Sequence, residues 1–147
     1  MKLDLKLYRR ITNTPALPLL LNGWQELLQR ELLDPGAIMI AWDHQAIVAT
    51  ALDGPHDGRD IGVLSFLVWD YLGEIGTILS WVHPTARLNG VHKQMFARLV
   101  EYAQEIDMRA ITSATHVDNR QSQQAHQAEG RQMFGHTYKF MVQPKGD

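Results

Sequence analysis

The stretch W-V-H-P-T-A-R-L-N-G-V-H-K, from Trp81 to Lys93, decides how the rest of the chain is interpreted. An apolar run over Ile75–Val82 stops at Pro84, and Gly90 stands just before an amphipathic run. A strand that opens into a helix through such a turn leaves several backbone N–H groups at the helix start without intrahelical partners. With the positive end of the helix dipole, these donors predict an anion site, and phosphate is the obvious ligand.

Length and composition limit the class of protein. The 147 residues carry a formal net charge of −2 and no cysteine. A chain of this length predicts a single domain over residues 1–147. The lack of cysteine excludes disulfides, thiolate zinc sites and a cysteine nucleophile, and it fits a cytoplasmic protein. Without a block of Lys and Arg or a long apolar run, we expect neither a nucleic-acid partner nor a membrane span.

The segments nearest the N-terminus predict a strand and two helices. Lys2–Tyr8 alternates apolar and charged residues, as a half-buried strand does, and not as a signal peptide does. Arg9–Pro18 is rich in prolines and turn formers and is interpreted as a connection that could contain one helical turn. Apolar residues at helical spacing predict a helix over Gly23–Leu33. Asp34 then resembles an N-cap before a proline, which predicts a second helix over Pro35–His44, although a strand is equally possible there.

The next three strands are predicted to form an antiparallel meander: Ala46–Leu52, Ile61–Trp69 and Glu74–Val82. The meander ends at residues 83–90, which we call the glycine turn. Val91–Ile106 places its apolar residues on one face of a helix of about four turns. The following apolar strand, Ala110–Val117, completes a crossover unit with parallel strands.

The C-terminal part predicts a helix over residues 121–129, and then a strand or a hairpin kinked at Gly135. The whole pattern predicts an α+β domain. Its sheet is mixed and mostly antiparallel, with six to seven strands, and about four helices cover both of its faces.

The glycine turn resembles the acetyl-coenzyme A motif of the GNAT superfamily of N-acetyltransferases. That motif runs Val-x-Pro-x-x-(Arg/Gln)-x-x-Gly-x-(Gly/Ala), and Val82, Pro84, Arg87 and Gly90 match it. The order of predicted elements is also similar to the GNAT order over nearly the whole chain. Asn119, just after the strand that follows the motif helix, stands where the family often places an asparagine.

The resemblance implies an N-acetyltransferase that uses acetyl-coenzyme A (acetyl-CoA). Backbone amides of the turn would hold the pyrophosphate, and Arg87 would order the turn or meet a phosphate. The strand end at Trp81 and Val82 would pair with the pantetheine arm, which Asn119 would contact from the other side. The implied cofactor-binding residues are Trp81, Val82, Arg87, Leu88, Asn89, Gly90, Val91, His92, Lys93 and Asn119.

Two positions depart from the family pattern. His92 stands where the family prefers glycine or alanine, so its ring either points outward or itself donates to a phosphate. The family's usual tyrosine, which protonates the leaving thiolate four residues before a glycine, is replaced by His126 if that glycine is Gly130. If the glycine is instead Gly135, the position is Arg131, a poor acid. His126 could donate a proton near neutral pH or could be an exposed helix residue.

The implied reaction is direct transfer of an acetyl group to a primary amine on a small molecule, a peptide or a protein. The amine must lose a proton to a carboxylate or to an ordered water. By family analogy Glu74 is the best-placed carboxylate, and Asp70 is a weaker candidate. His83 and His116 could shape an acceptor site, although structural roles are more common for such histidines.

No histidine or carboxylate spacing predicts a metal site. An alternative interpretation is a GNAT-fold module that binds coenzyme A or a protein partner without catalysing transfer. Family analogy also makes a homodimer possible.

Overall fold

A computed structural model describes residues 1–32, 44–114, 132–134 and 137–146, together with positions 124, 127 and 128. Its elements are β1 (Leu3–Tyr8), α1 (Ala16–Gln29), β2 (Gln45–Ala51), β3 (Asp60–Trp69), β4 (Glu74–Val82), α2 (Val91–Glu105), β5 (Ala110–Ala114), β6 (Gln132–Phe134) and β7 (Thr137–Met141). The described residues thus contain two α-helices rather than about four. The other two predicted helices fall almost wholly outside them, although positions 124, 127 and 128 are helical.

The seven strands form one sheet in the order β1-β2-β3-β4-β5-β7-β6. Only β4 and β5 are parallel among the described strand pairs, and the remaining pairs are antiparallel. The prediction of an α+β fold with a mixed, mostly antiparallel sheet is confirmed, and the last segment is a hairpin. No helix in the part of the chain that the structure describes is long and apolar enough to cross a bilayer.

Each helix covers one face of the sheet because successive strand residues point to opposite faces. In β2, Ile47 and Ala49 belong to the core on the α2 side, whereas Ala46 and Val48 belong to the core on the α1 side. The buried face of α2 carries Val91, Met95, Phe96, Leu99, Tyr102 and Ala103. Burial on both faces fixes the position of the central strands.

The start of α1 corrects the sequence prediction. The helix begins at Ala16 and not at Gly23, so it includes the last three residues of the segment that was interpreted as a connection. Pro18 lies in its first turn, where the backbone N–H groups have no helical partners, so proline costs no hydrogen bond there. Gly23 lies in the middle of this helix. A glycine is needed there because a Cβ would come within 2.9 Å of the Cβ of Trp81 on β4.

Strand β4 has the predicted bounds, but its two ends differ. Glu74–Thr77 pairs with β3 on one side and with β5 on the other, and we call this segment the closed end. Ser65 and Phe66 of β3 face Leu79 and Thr77, so Ile78 is an extra residue that forms a β-bulge. Beyond the bulge, β4 is paired with β3 alone among the described strands. We call residues Ile78–Val82 the open end.

Candidate active site

The open end carries backbone hydrogen-bonding groups on the side away from β3, where none of the described strands pairs with it. The N–H of His83 donates to the carbonyl of Ile61 at 2.8 Å, so His83 is bonded toward β3. Along an antiparallel strand, the backbone N–H and C=O groups of successive residues point alternately to the two neighbouring sides. The backbone groups of Ser80 and Val82 therefore point away from β3. This edge can therefore pair with an extended ligand that carries amides.

The connection from β4 to α2 is a tight turn held by its own side chains. The amide of Asn89 donates to the carbonyls of Ala86 and Arg87, at 3.1 Å each. Leu88 and Gly90 are left-handed, with φ of 65° and 75°. In Leu88 that conformation costs about 1–2 kcal/mol, a strain of the kind that often marks functional sites.

The first turn of α2 supplies the donors that the sequence predicts. Its first helical hydrogen bond runs from the N–H of Gln94 to the carbonyl of Gly90, at 3.0 Å. The N–H groups of Val91, His92 and Lys93 precede that bond and therefore have no intrahelical acceptors. Among the described residues, none apart from the chain neighbours of Gly90 comes within 4 Å of the position that a Cβ would take on it, so this side of the turn is open toward them. Open space beside backbone donors fits a phosphate.

Arg87 fastens this turn to α1 and to β4. Its Nε donates to the carbonyl of Val82 at 2.9 Å, and its Nη2 donates to both carboxylate oxygens of Glu26, at 2.8 and 2.7 Å. Of the two roles predicted for Arg87, ordering the turn is therefore the one that these contacts perform.

His92 turns inward. Its Nδ1 lies 2.6 Å from the hydroxyl oxygen of Ser80 on the open end of β4. The ring is half-buried between the first turn of α2 and the strand. It therefore does not point outward into solvent, which was one of the two orientations considered for it.

Comparison with known proteins identifies this arrangement. The model of the acetyltransferase (GNAT) family matches residues 8–130. The chain belongs to the GNAT family of acetyltransferases. No curated protein matches its sequence.

Solved structures of GNAT proteins share the fold. GCN5 from Tetrahymena superposes with a TM-score of 0.70 at 10% identity, covering 98% of this chain and 99% of that one. A GNAT-family acetyltransferase from Staphylococcus aureus gives 0.69 at 12% identity, covering 97% and 100%. A Bacillus subtilis acetyltransferase, solved in complex with CoA, gives 0.64 at 19% identity, covering 91% and 79%. At these identities the likeness shows the fold alone.

A small network of histidines lies beside the glycine turn. The hydroxyl of Thr85 lies 2.8 Å from Nδ1 of His83 and 3.3 Å from Nε2 of His56. His56 belongs to the loop between β2 and β3. The rings of His83 and Trp81 meet edge to face at 5.9 Å between centroids. His83 is exposed, so it is available to a ligand at this end of the sheet.

Glu74 lies at the far end of β4 from the glycine turn. Eight residue steps along an extended strand place it about 26 Å from Val82. It is 7% exposed, and its carboxylate accepts from Nη2 of Arg109 at 2.8 Å. Arg109 also donates through Nε to the carbonyl of Leu72 at 3.0 Å, so the pair clamps the β3–β4 hairpin to β5. These contacts describe a structural ion pair, and the general-base role of Glu74 stays a prediction.

The remaining candidate residues are distributed as follows. Asn119, His116 and His126 lie outside the described residues, so their roles stay predictions. Asp70 is an exposed turn residue whose carbonyl accepts from the N–H of Gly73. Within the described ranges, no group of three or more potential ligands could hold a metal ion.

Glu26 and Ser80 contact predicted site residues but were not themselves predicted from the sequence. No local signal identifies Glu26, because its partner Arg87 is 61 residues away. Ser80 did offer a signal, since it is a hydroxyl side chain inside the apolar run of β4.

Proposed function

We propose that this chain transfers an acetyl group from acetyl-CoA directly to a primary amine on a small molecule, a peptide or a protein. The observation that carries the proposal is the continuity of two binding features. The open end of β4 leads through the glycine turn into the first turn of α2, whose N–H groups precede the first intrahelical hydrogen bond. One extended ligand with a phosphate at one end can use both.

The backbone groups divide the binding between them. The N–H groups of Val91, His92 and Lys93 would hold the pyrophosphate, with Leu88, Asn89 and Gly90 shaping the turn. Ser80 and Val82 would pair with the pantetheine arm, beside the side chain of Trp81 and opposite Asn119. When bound, acetyl-CoA would supply the acetyl group as an activated thioester.

Two protons must be handled during transfer. The amine must lose one, and an ordered water is a better acceptor than Glu74, because Glu74 is already engaged by Arg109. The departing thiolate must gain one, and His126 is the proposed donor in place of the family's tyrosine. Thermal unfolding and turnover assays test the binding and the transfer separately.

The binding test compares thermal unfolding with and without excess acetyl-CoA. A ligand at about 1,000 times its dissociation constant stabilises the fold by roughly 4 kcal/mol. We expect this upward shift in the unchanged chain and its loss in Gly90→Trp. Gly58→Trp is a matched control, since Gly58 also has a positive φ of 79° and open space around it, but lies in another loop.

The turnover test measures thiol release over a panel of amines. Transfer to any amine supports the proposed enzyme. Binding without any transfer would instead favour a coenzyme A-binding module, an alternative suggested by the histidine at position 92. Absence of any thermal shift at millimolar acetyl-CoA would refute both.

A further inference from the structure

The bulge residue Ile78 is the only exposed residue of β4. It pairs with no residue of β3, because the register passes from Thr77 directly to Leu79. Its side chain is 38% exposed, although β4 is the fourth of the seven strands, whereas Leu79 and Trp81 on the same strand are buried. Thr77 is also the last residue of β4 that pairs with β5 among the described strands. An apolar side chain is therefore accessible at the point where the open end begins.

The length of coenzyme A indicates which part of it would lie beside Ile78. Its pantetheine arm joins the phosphate oxygen to the sulfur through about twelve bonds, and a peptide backbone has about three bonds per residue. The extended arm therefore matches roughly four residues of strand, or about 13 Å. The proposed function puts the phosphate end at the turn that follows Val82. Four residues back from Val82 along β4 is Ile78, so the sulfur and its acyl group would reach this residue.

We propose that Ile78 contacts the acyl group of the bound thioester and restricts the site to short acyl chains. The inference rests on the proposed function and adds to it a residue that selects the acyl donor. A β-branched side chain suits this role, because it has few χ1 rotamers and so presents a fixed shape. Pairing of β4 with β3 before and after the bulge holds its backbone in place. A longer acyl chain would have to displace this side chain, whereas an acetyl group has only a methyl group to accommodate.

The test measures dissociation constants for coenzyme A and for two thioethers, S-ethyl and S-butyl coenzyme A, which cannot transfer their alkyl groups. The unchanged chain should bind the S-ethyl compound more tightly than the S-butyl compound. Ile78→Ala should reduce this preference about tenfold, because a single methylene in an apolar pocket changes selectivity by at least about that factor. Ile78→Val, which removes only one methylene, should reduce it by less.

The matched control is Leu72→Ala. Leu72 is an aliphatic residue of similar exposure, at 43%, but it lies in the turn between β3 and β4, next to the closed end. Its substitution should leave the preference for the S-ethyl compound unchanged. An equal change of preference in Leu72→Ala and Ile78→Ala would overturn the inference.

The remaining outcomes distinguish this inference from the proposed function. An unchanged preference in Ile78→Ala would overturn the inference alone, and so would equal weakening of all three ligands, since Ile78 would then serve only the shape of the strand. If the unchanged chain binds the ligands but transfers no acetyl group, the proposed transfer fails, and the thioethers still decide the inference. Failure of the unchanged chain to bind coenzyme A would overturn both. Ile78→Val keeps the test valid if Ile78→Ala unfolds.

Discussion

The closed and open ends of β4 show how one strand serves two purposes. At the closed end, Glu74–Thr77 has neighbours on both sides and a buried carboxylate paired with Arg109. At the open end, the described structure pairs Ile78–Val82 with β3 only, and its free edge leads into the glycine turn. The closed end is held by strand pairing on both sides, whereas the open end is the part that the proposed function assigns to the ligand. Substitutions at the closed end should therefore leave coenzyme A binding unchanged, whereas those that displace the open end should lower both stability and binding.

The largest effect on stability is expected for Gly23→Val, because the new side chain on α1 would push against the open end of β4. A Cβ on Gly23 would lie 2.9 Å from the Cβ and 3.1 Å from the Cγ of Trp81, and the Cβ of a strand residue cannot easily move. Overpacking of this kind lowers the free energy of unfolding by about 1–3 kcal/mol. Urea unfolding measures it, and coenzyme A affinity should fall as well, because Trp81 and Val82 shift together.

The matched control for Gly23→Val is Gln25→Val on the exposed face of the same helix. It carries the same β-branched side chain without the contact to β4. Equal destabilisation by the two substitutions would mean that helix propensity, and not the approach to Trp81, explains the loss.

Glu74→Gln tests the closed end and should have an intermediate effect. The lost charge-assisted bond should lower the free energy of unfolding by about 1 kcal/mol, a reduced value because Arg109 is largely exposed. The dissociation constant for coenzyme A should not change. Glu101→Gln is the control, because Glu101 is an exposed partner at 3.8 Å from Arg98. A fall in kcat of about 100-fold or more at unchanged stability would instead make Glu74 the proton acceptor.

The smallest effect on stability is expected for Glu26→Gln. Its pair with Arg87 is partly exposed, with side-chain exposures of 28% and 38%, so the loss should be about 0.5 kcal/mol and smaller still in high salt. Arg87→Ala should cost more, since it also removes the bond to the carbonyl of Val82. Thermal unfolding of both variants at two salt concentrations checks this order. Equal losses of stability in the two variants would show that the hydrogen bond from Arg87 to the carbonyl of Val82 does not stabilise the fold.

Much of the central fold could be predicted because its signals are local. The bounds of β4 and the start of α2 follow from an apolar run, a proline and a glycine that are neighbours in the sequence. The φ of 75° at Gly90 is likewise the conformation for which glycine is the natural residue. The family motif also lies within this local stretch, so the glycine turn could be recognised from the sequence.

The rest depended on contacts that no local pattern encodes. Pro18 suggested a break, although a first helical turn accepts proline, so α1 was predicted to start too late. Glu74 meets Arg109 from 35 residues away, and that distant partner suggests a structural role where family analogy suggested a base. The ring of His92 on α2 contacts Ser80 on β4, 12 residues earlier, and a sequence motif holds no information about that contact.

The bulge at Ile78 has a consequence for how the fold could be changed. The extra residue follows Thr77, the last residue of β4 that pairs with β5 among the described strands. A bulge bends its strand and increases the local twist. Deleting Ile78 should therefore straighten β4 and change the direction in which its open end leads to the glycine turn. Under the proposed function, this deletion should weaken coenzyme A binding more than it weakens the fold.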